Sequence, residues 1–307
     1  MSSEMFQLIL MTVVTAATPL ILAAIGELVT ERAGVLNLGV EGMMIMGAAL
    51  GFAGAYASGS ATIGALCGVL AGVGMAALFG VLTIGFAINQ VASGLALTIF
   101  GMGLSGLLGA GFVGLKRDGA SHLHIPGLSD LPYVGQLIFG EDMFVYVAFG
   151  IVAGVAWFLS RSRTGLALRA TGDNHQSAHA LGLPVRKMRF LATLFGGACA
   201  GLAGAYLTLA YTPVWSPGMT AGRGWIALAL VVFASWRPWR VVLGALLFGG
   251  ATVLQLHAQA ASLGLPGQLL SAVPYLATIV ALVLLSSGAR RNAAAPAALG
   301  QAFIAPR

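Results

Sequence analysis

The sequence predicts an all-α, polytopic helical membrane protein with 9–10 transmembrane helices, and three observations carry that expectation. Of its 307 residues 58% are hydrophobic and only 8% charged, with a mean hydropathy of +0.93, a balance that an ordinary water-exposed surface does not tolerate. Apolar stretches long enough for a helix of about 20 residues, the length that crosses a hydrocarbon core about 30 Å thick, follow one another along the chain. These runs are continuous rather than alternating and are dominated by Gly, Ala and Leu, which excludes a transmembrane barrel.

Breaks at charges, prolines and Gly/Ser clusters place spans near 5–26, 34–56, 62–86, 88–113, 143–160, 190–212, 224–236, 241–258 and 268–286. The first lacks the positive start of a cleavable leader and reads as a retained span. The seventh is too short to cross alone unless Trp215–Gly224 supplies a half-helix, so one broken span is expected and a tenth crossing stays open. Residues 1–286 therefore form one transmembrane domain with an external loop at 114–142 and a cytoplasmic loop at 161–189, and 287–307, rich in Ala and Pro, reads as a flexible cytoplasmic tail.

Orientation follows from Lys and Arg. The 161–189 loop carries Arg161, Arg163, Arg169, Arg186, Lys187 and Arg189, which makes it cytoplasmic. Propagated outward, twelve of the fifteen basic residues fall inside, with Lys116, Arg117 and Arg223 outside. The net charge of +6 thus reports topology and not a nucleic-acid partner, because the basic residues cluster between apolar runs. Cys67 and Cys199 lie inside apolar runs and read as packing residues. Gly64, Gly68 and Gly72, Gly150 and Gly154, and Gly197 and Gly201 recur at four-residue spacing, which lets helix backbones approach closely.

Polar residues inside apolar runs need partners or a pathway. Asn37 and Glu41 share one face if their region is helical, and an intramembrane Glu is a functional candidate by default, against a structural role capping backbone donors at a helix break near Gly39 and Gly42. Asn89, Gln90 and Ser93 open the fourth span, where a helix cap and interhelical hydrogen bonds compete with ligand contact. In the cytoplasmic loop Asp173 or Asn174 can cap a short helix through Ala180 that Gly182 ends and Pro184 prevents from continuing, and Ala178 and Leu181 would fit a groove on a soluble partner. His175 and His179 have helical metal-pair spacing, but no third ligand lies nearby.

The two lysines, Lys116 and Lys187, do not follow phosphate-loop glycine spacing, so ATP hydrolysis by that route belongs to a partner. Among nine acids only Glu41 is expected at depth, Glu27 and Glu31 falling near a span end, so the machinery for ion coupling is thin.

Three segments carry a resemblance: Thr30-Glu-Arg-Ala-Gly-Val-Leu-Asn-Leu-Gly-Val-Glu-Gly-Met-Met44, Gly165-Leu-Ala-Leu-Arg-Ala-Thr-Gly-Asp-Asn174 with Ala178–Gly182, and Ala221-Gly-Arg-Gly-Trp-Ile-Ala-Leu-Ala229. Over most of its length the chain resembles the permeases of ABC importers for branched-chain amino acids and simple sugars, in their nucleoside branch. That resemblance implies a large-importer-type ABC permease in the bacterial inner membrane, not itself an enzyme and without a cofactor of its own. It further implies a second permease subunit, of which this chain is similar to the shorter, with cytoplasmic ATPases that hold ATP-Mg and an external substrate-binding protein. It implies ATPase coupling through Arg169, Gly172, Asp173, Ala178, Leu181 and Gly182. The substrate pathway is expected at Asn37, Glu41, Asn89, Gln90 and Ser93. Sugars or branched-chain amino acids remain alternative substrates, and a proton-coupled carrier using Glu41 and a passive channel remain rival mechanisms.

Overall fold

The computed structural model describes residues 3–119, 140–260 and 295–304, with isolated helical positions between 272 and 283. The described residues contain α1 (Ser3–Arg32), α2 (Val40–Ser58), α3 (Ala61–Gly80), α4 (Gln90–Gly109), α5 (Met143–Arg161), α6 (Arg163–Asp173), α7 (His175–Ala180), α8 (Val185–Tyr206), α9 (Arg223–Phe233) and α10 (Pro238–Ala260). Single π-helical turns prolong α3 to Gly85 and α8 to Tyr211. No strand element occurs among these residues, only two isolated bridges.

Seven of the helices are long and apolar enough to cross a membrane. They answer to the first six expected spans and the eighth; the ninth, 268–286, falls on positions outside the described residues apart from isolated ones. The expected broken span is α9, whose 11 residues rise about 16 Å, half a hydrocarbon core. The stretch before it, 212–222, is irregular and supplies no half-helix. Two of its residues bridge to the external segment after α4, Val214 to Lys116 and Trp215 to Val113.

Local chemistry sets the helix ends. Side chains of Ser60, Asn89, Asp142, Ser162 and Asn174 accept backbone N–H bonds at the starts of α3 to α7. Gly59, at φ +71°, ends α2 in the left-handed conformation. The core forms where α2, α3 and α8 meet. A Cβ at Gly72 would strike the Gly197 carbonyl, and one at Gly47 the Gly201 carbonyl, so these contacts exist only without side chains. Gly150 and Gly154 differ from the expected packing seam, because a Cβ at either would meet nothing within 4 Å.

Part of the C-terminal segment packs on the bundle. Residues 295–304 dock on the helix ends: Ala298 N–H donates to the Gly172 carbonyl and Gly300 N–H to that of Gly34. Phe303 is buried with its ring edge-on to His175 and His179, each 5.3 Å away. Arg189, expected as a surface charge that marks orientation, is buried and spans the join. It donates to the Ala33 carbonyl at 3.1 Å, the Gln301 carbonyl at 2.7 Å and His175 Nδ1 at 3.2 Å. Burial and the neighbouring guanidinium hold the His175 imidazole below its usual range, which leaves Nδ1 free to accept.

Just before α5, burial and the charge of Asp142 push the Glu141 carboxyl up to about 7. The folded chain thus holds this proton more tightly than the unfolded chain, whose carboxyl titrates near 4.5. Glu141 favours folding at acid pH and loses that contribution as pH rises from about 4.5 to about 7. Glu141→Gln is expected to raise the melting temperature of the purified protein, with a larger gain at pH 8 than at pH 5. An equal shift at both values would remove the titration from this site.

Candidate functional site

Two irregular segments enter the helical bundle and meet at Glu41. The first, 33–39, joins α1 to α2. It runs back along α1, because the Asn37 N–H donates to Glu27 Oε1 at 3.2 Å. Glu27 lies five residues before Arg32, about 8 Å deeper into the bundle. The second segment, 212–222, ends at the start of α9. Glu41, 1% exposed in the first turn of α2, bridges the two. Its Oε1 accepts from Thr220 Oγ1 at 2.5 Å and Gly222 N–H at 2.9 Å, and its Oε2 from Gly224 N–H at 2.6 Å.

The glycines make this join possible. Gly222 has φ +81°, and a Cβ on Gly224 would lie 2.6 Å from the Glu41 backbone. The side chain of Glu41 thus satisfies donors at the start of a helix that begins inside the bundle, where water is scarce and each orphaned N–H costs about 1–3 kcal/mol. The capping role weighed for Glu41 is therefore present, but the break it caps is that of α9 and not its own. Arg223, expected outside, is the first residue of α9; it donates to the Met219 and Thr220 carbonyls and lies over the Tyr211 ring.

The remaining expected pathway residues divide. Asn37 is fully buried and precedes α2, so it shares no helix face with Glu41. Its Oδ1 accepts from Gly39 N–H at 3.0 Å. Gln90 is buried and its Oε1 accepts from Leu36 N–H at 2.7 Å, tying α4 to the linker. Asn89 is exposed and caps α4 through Ala92 N–H at 3.0 Å, whereas Ser93, one turn on, is buried. Trp225 is 45% exposed and its indole N–H points to the Leu38 carbonyl at 3.4 Å.

Burial does not single out Glu41 among the acids near this join. Glu27 and Glu31 are each 1% exposed, because α1 continues to Arg32 and the linker folds back over it. Trp236 donates its indole N–H to Glu31 Oε2 at 2.5 Å. Sequence reasoning missed Thr220 and Trp236 as carboxylate partners. It marked the Ala221–Ala229 segment as distinctive, and that mark was the available signal for Gly222 and Gly224.

The segment expected to be cytoplasmic forms α6 and α7. Asn174, of the two proposed caps, holds the start of α7 by accepting from Ser177 N–H at 2.9 Å, and Gly182 follows its end at φ +81°. Gly172 touches the end of α1: a Cβ there would strike the Arg32 carbonyl. Asp173 and Arg169 lie near enough to Arg32 to act on its charge. Ala178 does not face outward as expected. It is 2% exposed and packs with Val185 and Phe303, since the docked tail covers that side. Leu181 is 82% exposed and stands free.

Comparison with known proteins places the chain in a transport family. The family described as "Branched-chain amino acid transport system / permease component" matches residues 9–285. A putative glucose ABC transporter permease protein of Haloferax volcanii is 44% identical over 291 residues, covering 88% of each chain. A nucleoside ABC transporter permease protein of Lactococcus lactis is 31% identical over 312 residues, 97% of each. A guanosine ABC transporter permease protein of Bacillus subtilis is 29% identical over 315 residues, 98% of each. No solved structure matches the chain.

Substitutions at the join separate these roles. Glu41→Leu leaves the Gly222 and Gly224 donors unpaired, about 1–3 kcal/mol each, and is expected to lower the yield of folded protein several-fold by size-exclusion chromatography. Glu41→Gln keeps one acceptor oxygen and is expected to fold with intermediate stability. Equal yields of all three proteins would show that the cap is dispensable. On the cytoplasmic face, Ala178→Asp places a charge in the packed contact with Phe303 and is expected to lower the melting temperature, while Leu181→Asp leaves it unchanged.

Proposed function

We propose, from the premise that the chain belongs to the permease components of branched-chain amino acid transport systems, that it forms one half of the pore of an importer and moves nucleosides inward by alternating access. The observation that carries this reading is the meeting of two irregular segments at Glu41 inside the bundle. Irregular backbone at membrane depth is tolerated where it lines a cavity, and a half-helix beside it offers a unit that can tilt without breaking a whole span. The chain is a transport subunit and not an enzyme.

Energy comes from a separate cytoplasmic ATPase that holds ATP-Mg. The exposed Leu181 at the end of α7 is the contact proposed to seat in that subunit. Arg169, Gly172 and Asp173 link α7 to the end of α1, and Gly182 sets the turn that presents Leu181. A second, different permease completes the pore, an external binding protein delivers the solute, and the assembly sits in a bacterial inner membrane.

The solute is neutral and rich in hydrogen-bonding groups. Asn37, Glu41 and Gln90 are buried and bonded within the chain, whereas the exposed Asn89 caps α4 with its oxygen and keeps its amide N–H groups as neutral donors, with Ser93 one turn on; the exposed Trp225 face suits stacking against a base. The nucleoside relatives span nearly the whole chain. A sugar is the second reading, favoured by the 44% identity to a putative glucose permease. Both solutes present ribose- or pyranose-type hydroxyls.

The assembled importer in proteoliposomes is expected to take up radiolabelled guanosine when ATP is enclosed and to stop when the ATPase is omitted. Excess glucose is expected not to compete. Competition by glucose but not by unlabelled guanosine would transfer the assignment to sugars, and ATP-independent uptake would overturn the energy source. Asn89→Leu is expected to lower uptake about 5- to 100-fold at equal amounts of assembled complex, the range for one lost hydrogen bond. Asn89→Ser keeps a neutral cap on α4 and loses the amide donor without adding charge, so a comparable loss there assigns the effect to the solute and not to the helix end.

A further inference from the structure

A cavity of about 740 Å³ opens between α5, α6 and α8. Its walls are apolar: Val155 and Phe158 from α5 face Leu191 and Phe195 from α8. From Lys187 to Phe195 the α8 wall rises about 12 Å, close to the roughly 15 Å depth of one leaflet's hydrocarbon. Gly154 lies in this wall, and a Cβ there would meet nothing within 4 Å. Gly154 thus borders open space and not a packed helix seam among the described residues.

The cytoplasmic rim has different chemistry. Arg163 and Lys187 both line the cavity, both are exposed, and no acidic residue lines it. Trp157, 64% exposed on the same turn of α5 as Phe158, marks the headgroup level, where exposed indoles collect. An apolar slot one leaflet deep, closed at the interface by two cations, matches a molecule with hydrocarbon below and a net negative charge above. A zwitterionic headgroup brings its own cation to that rim and gains less.

We propose that this groove holds one anionic phospholipid of the cytoplasmic leaflet, with an acyl chain between α5 and α8 and its phosphate between Arg163 and Lys187. The site goes beyond the transport reading and does not depend on which solute is moved. It stands beside the start of α6, so the lipid buttresses the helix that leads to the cytoplasmic docking turn.

Native mass spectrometry of the full importer, released from nanodiscs of equal dioleoyl phosphatidylglycerol and dioleoyl phosphatidylcholine, tests this. The wild-type complex is expected to retain one phosphatidylglycerol per chain in preference to phosphatidylcholine. The double variant Arg163→Gln/Lys187→Gln is expected to lose that preference by about thirtyfold, as two charge contacts with an anionic headgroup are removed. Gly154→Leu fills the slot, has room to do so, and is expected to release the lipid with both cations in place. Equal retention of the two lipids by the wild type, or persistent phosphatidylglycerol in Gly154→Leu, overturns the proposal. So does displacement by inorganic phosphate, which would make the rim a free-anion site. Crosslinking of Lys187 to the ATPase in place of lipid would assign the groove to that protein. If Gly154→Leu fails to assemble, the double variant decides.

Discussion

Everything distinctive in this bundle depends on three backbone and hydroxyl donors finding a carboxylate. A helix that starts inside a membrane protein exposes N–H groups to surroundings that cannot hydrate them, and α9 starts there. Glu41 answers that demand from another helix, accepting from Thr220, Gly222 and Gly224. Hydrogen bonds are worth about 0.5–1.5 kcal/mol each, and three together help hold a half-helix in one place. Once Glu41 is committed to α9, the irregular approach to α2 follows. The linker must then bring the chain from Arg32 back past Glu27, and Asn37, Gln90 and Thr98 secure it on the way.

The end of the bundle around Arg189 shows the same logic with a different ion. Arg189 is buried where α1, α7, α8 and the docked tail converge, and its guanidinium distributes donors among Ala33, Gln301 and His175. Because Arg offers donors in a fixed planar fork, it can tie several carbonyls at once where a lysine would serve one point. The result is unbroken contact from α7 through Gly172 and Gly34 to the linker, and from the linker to Glu41. A displacement of the docking turn would be felt first by the irregular segment and not by a whole span. That arrangement suits a permease in which a separate subunit supplies the motion.

Three of the buried acids, all beside the irregular segments, serve as hydrogen-bond acceptors. Glu31 is bonded to Trp236, Glu27 accepts from the Asn37 backbone, and Glu41 caps α9, so each has a structural occupation. In a permease driven by ATP no coupling ion is required, and the acids are used instead as acceptors for backbone and indole groups that the irregular segments leave open.

Hydropathy and helix caps act between neighbours in the chain, and those features were legible in the sequence: the long spans, the shortness of the seventh, and the punctuation of α7 by Asn174, Gly182 and Pro184. The family too was legible, because its distinctive segments are contiguous. The partners were not. Gly222 lies 181 residues from Glu41 and Gln301 lies 112 residues from Arg189. Ala178 and Leu181 read alike as small apolar positions on one short helix, yet one is buried under Phe303 and the other stands free. The sequence by itself determined which stretches must leave water and which local signals start and stop their helices. Only the tertiary structure decided which distant donors remained unpaired and which side chain lay near enough to accept them, because that depends on how the helices come together and not on any residue's neighbours in the chain.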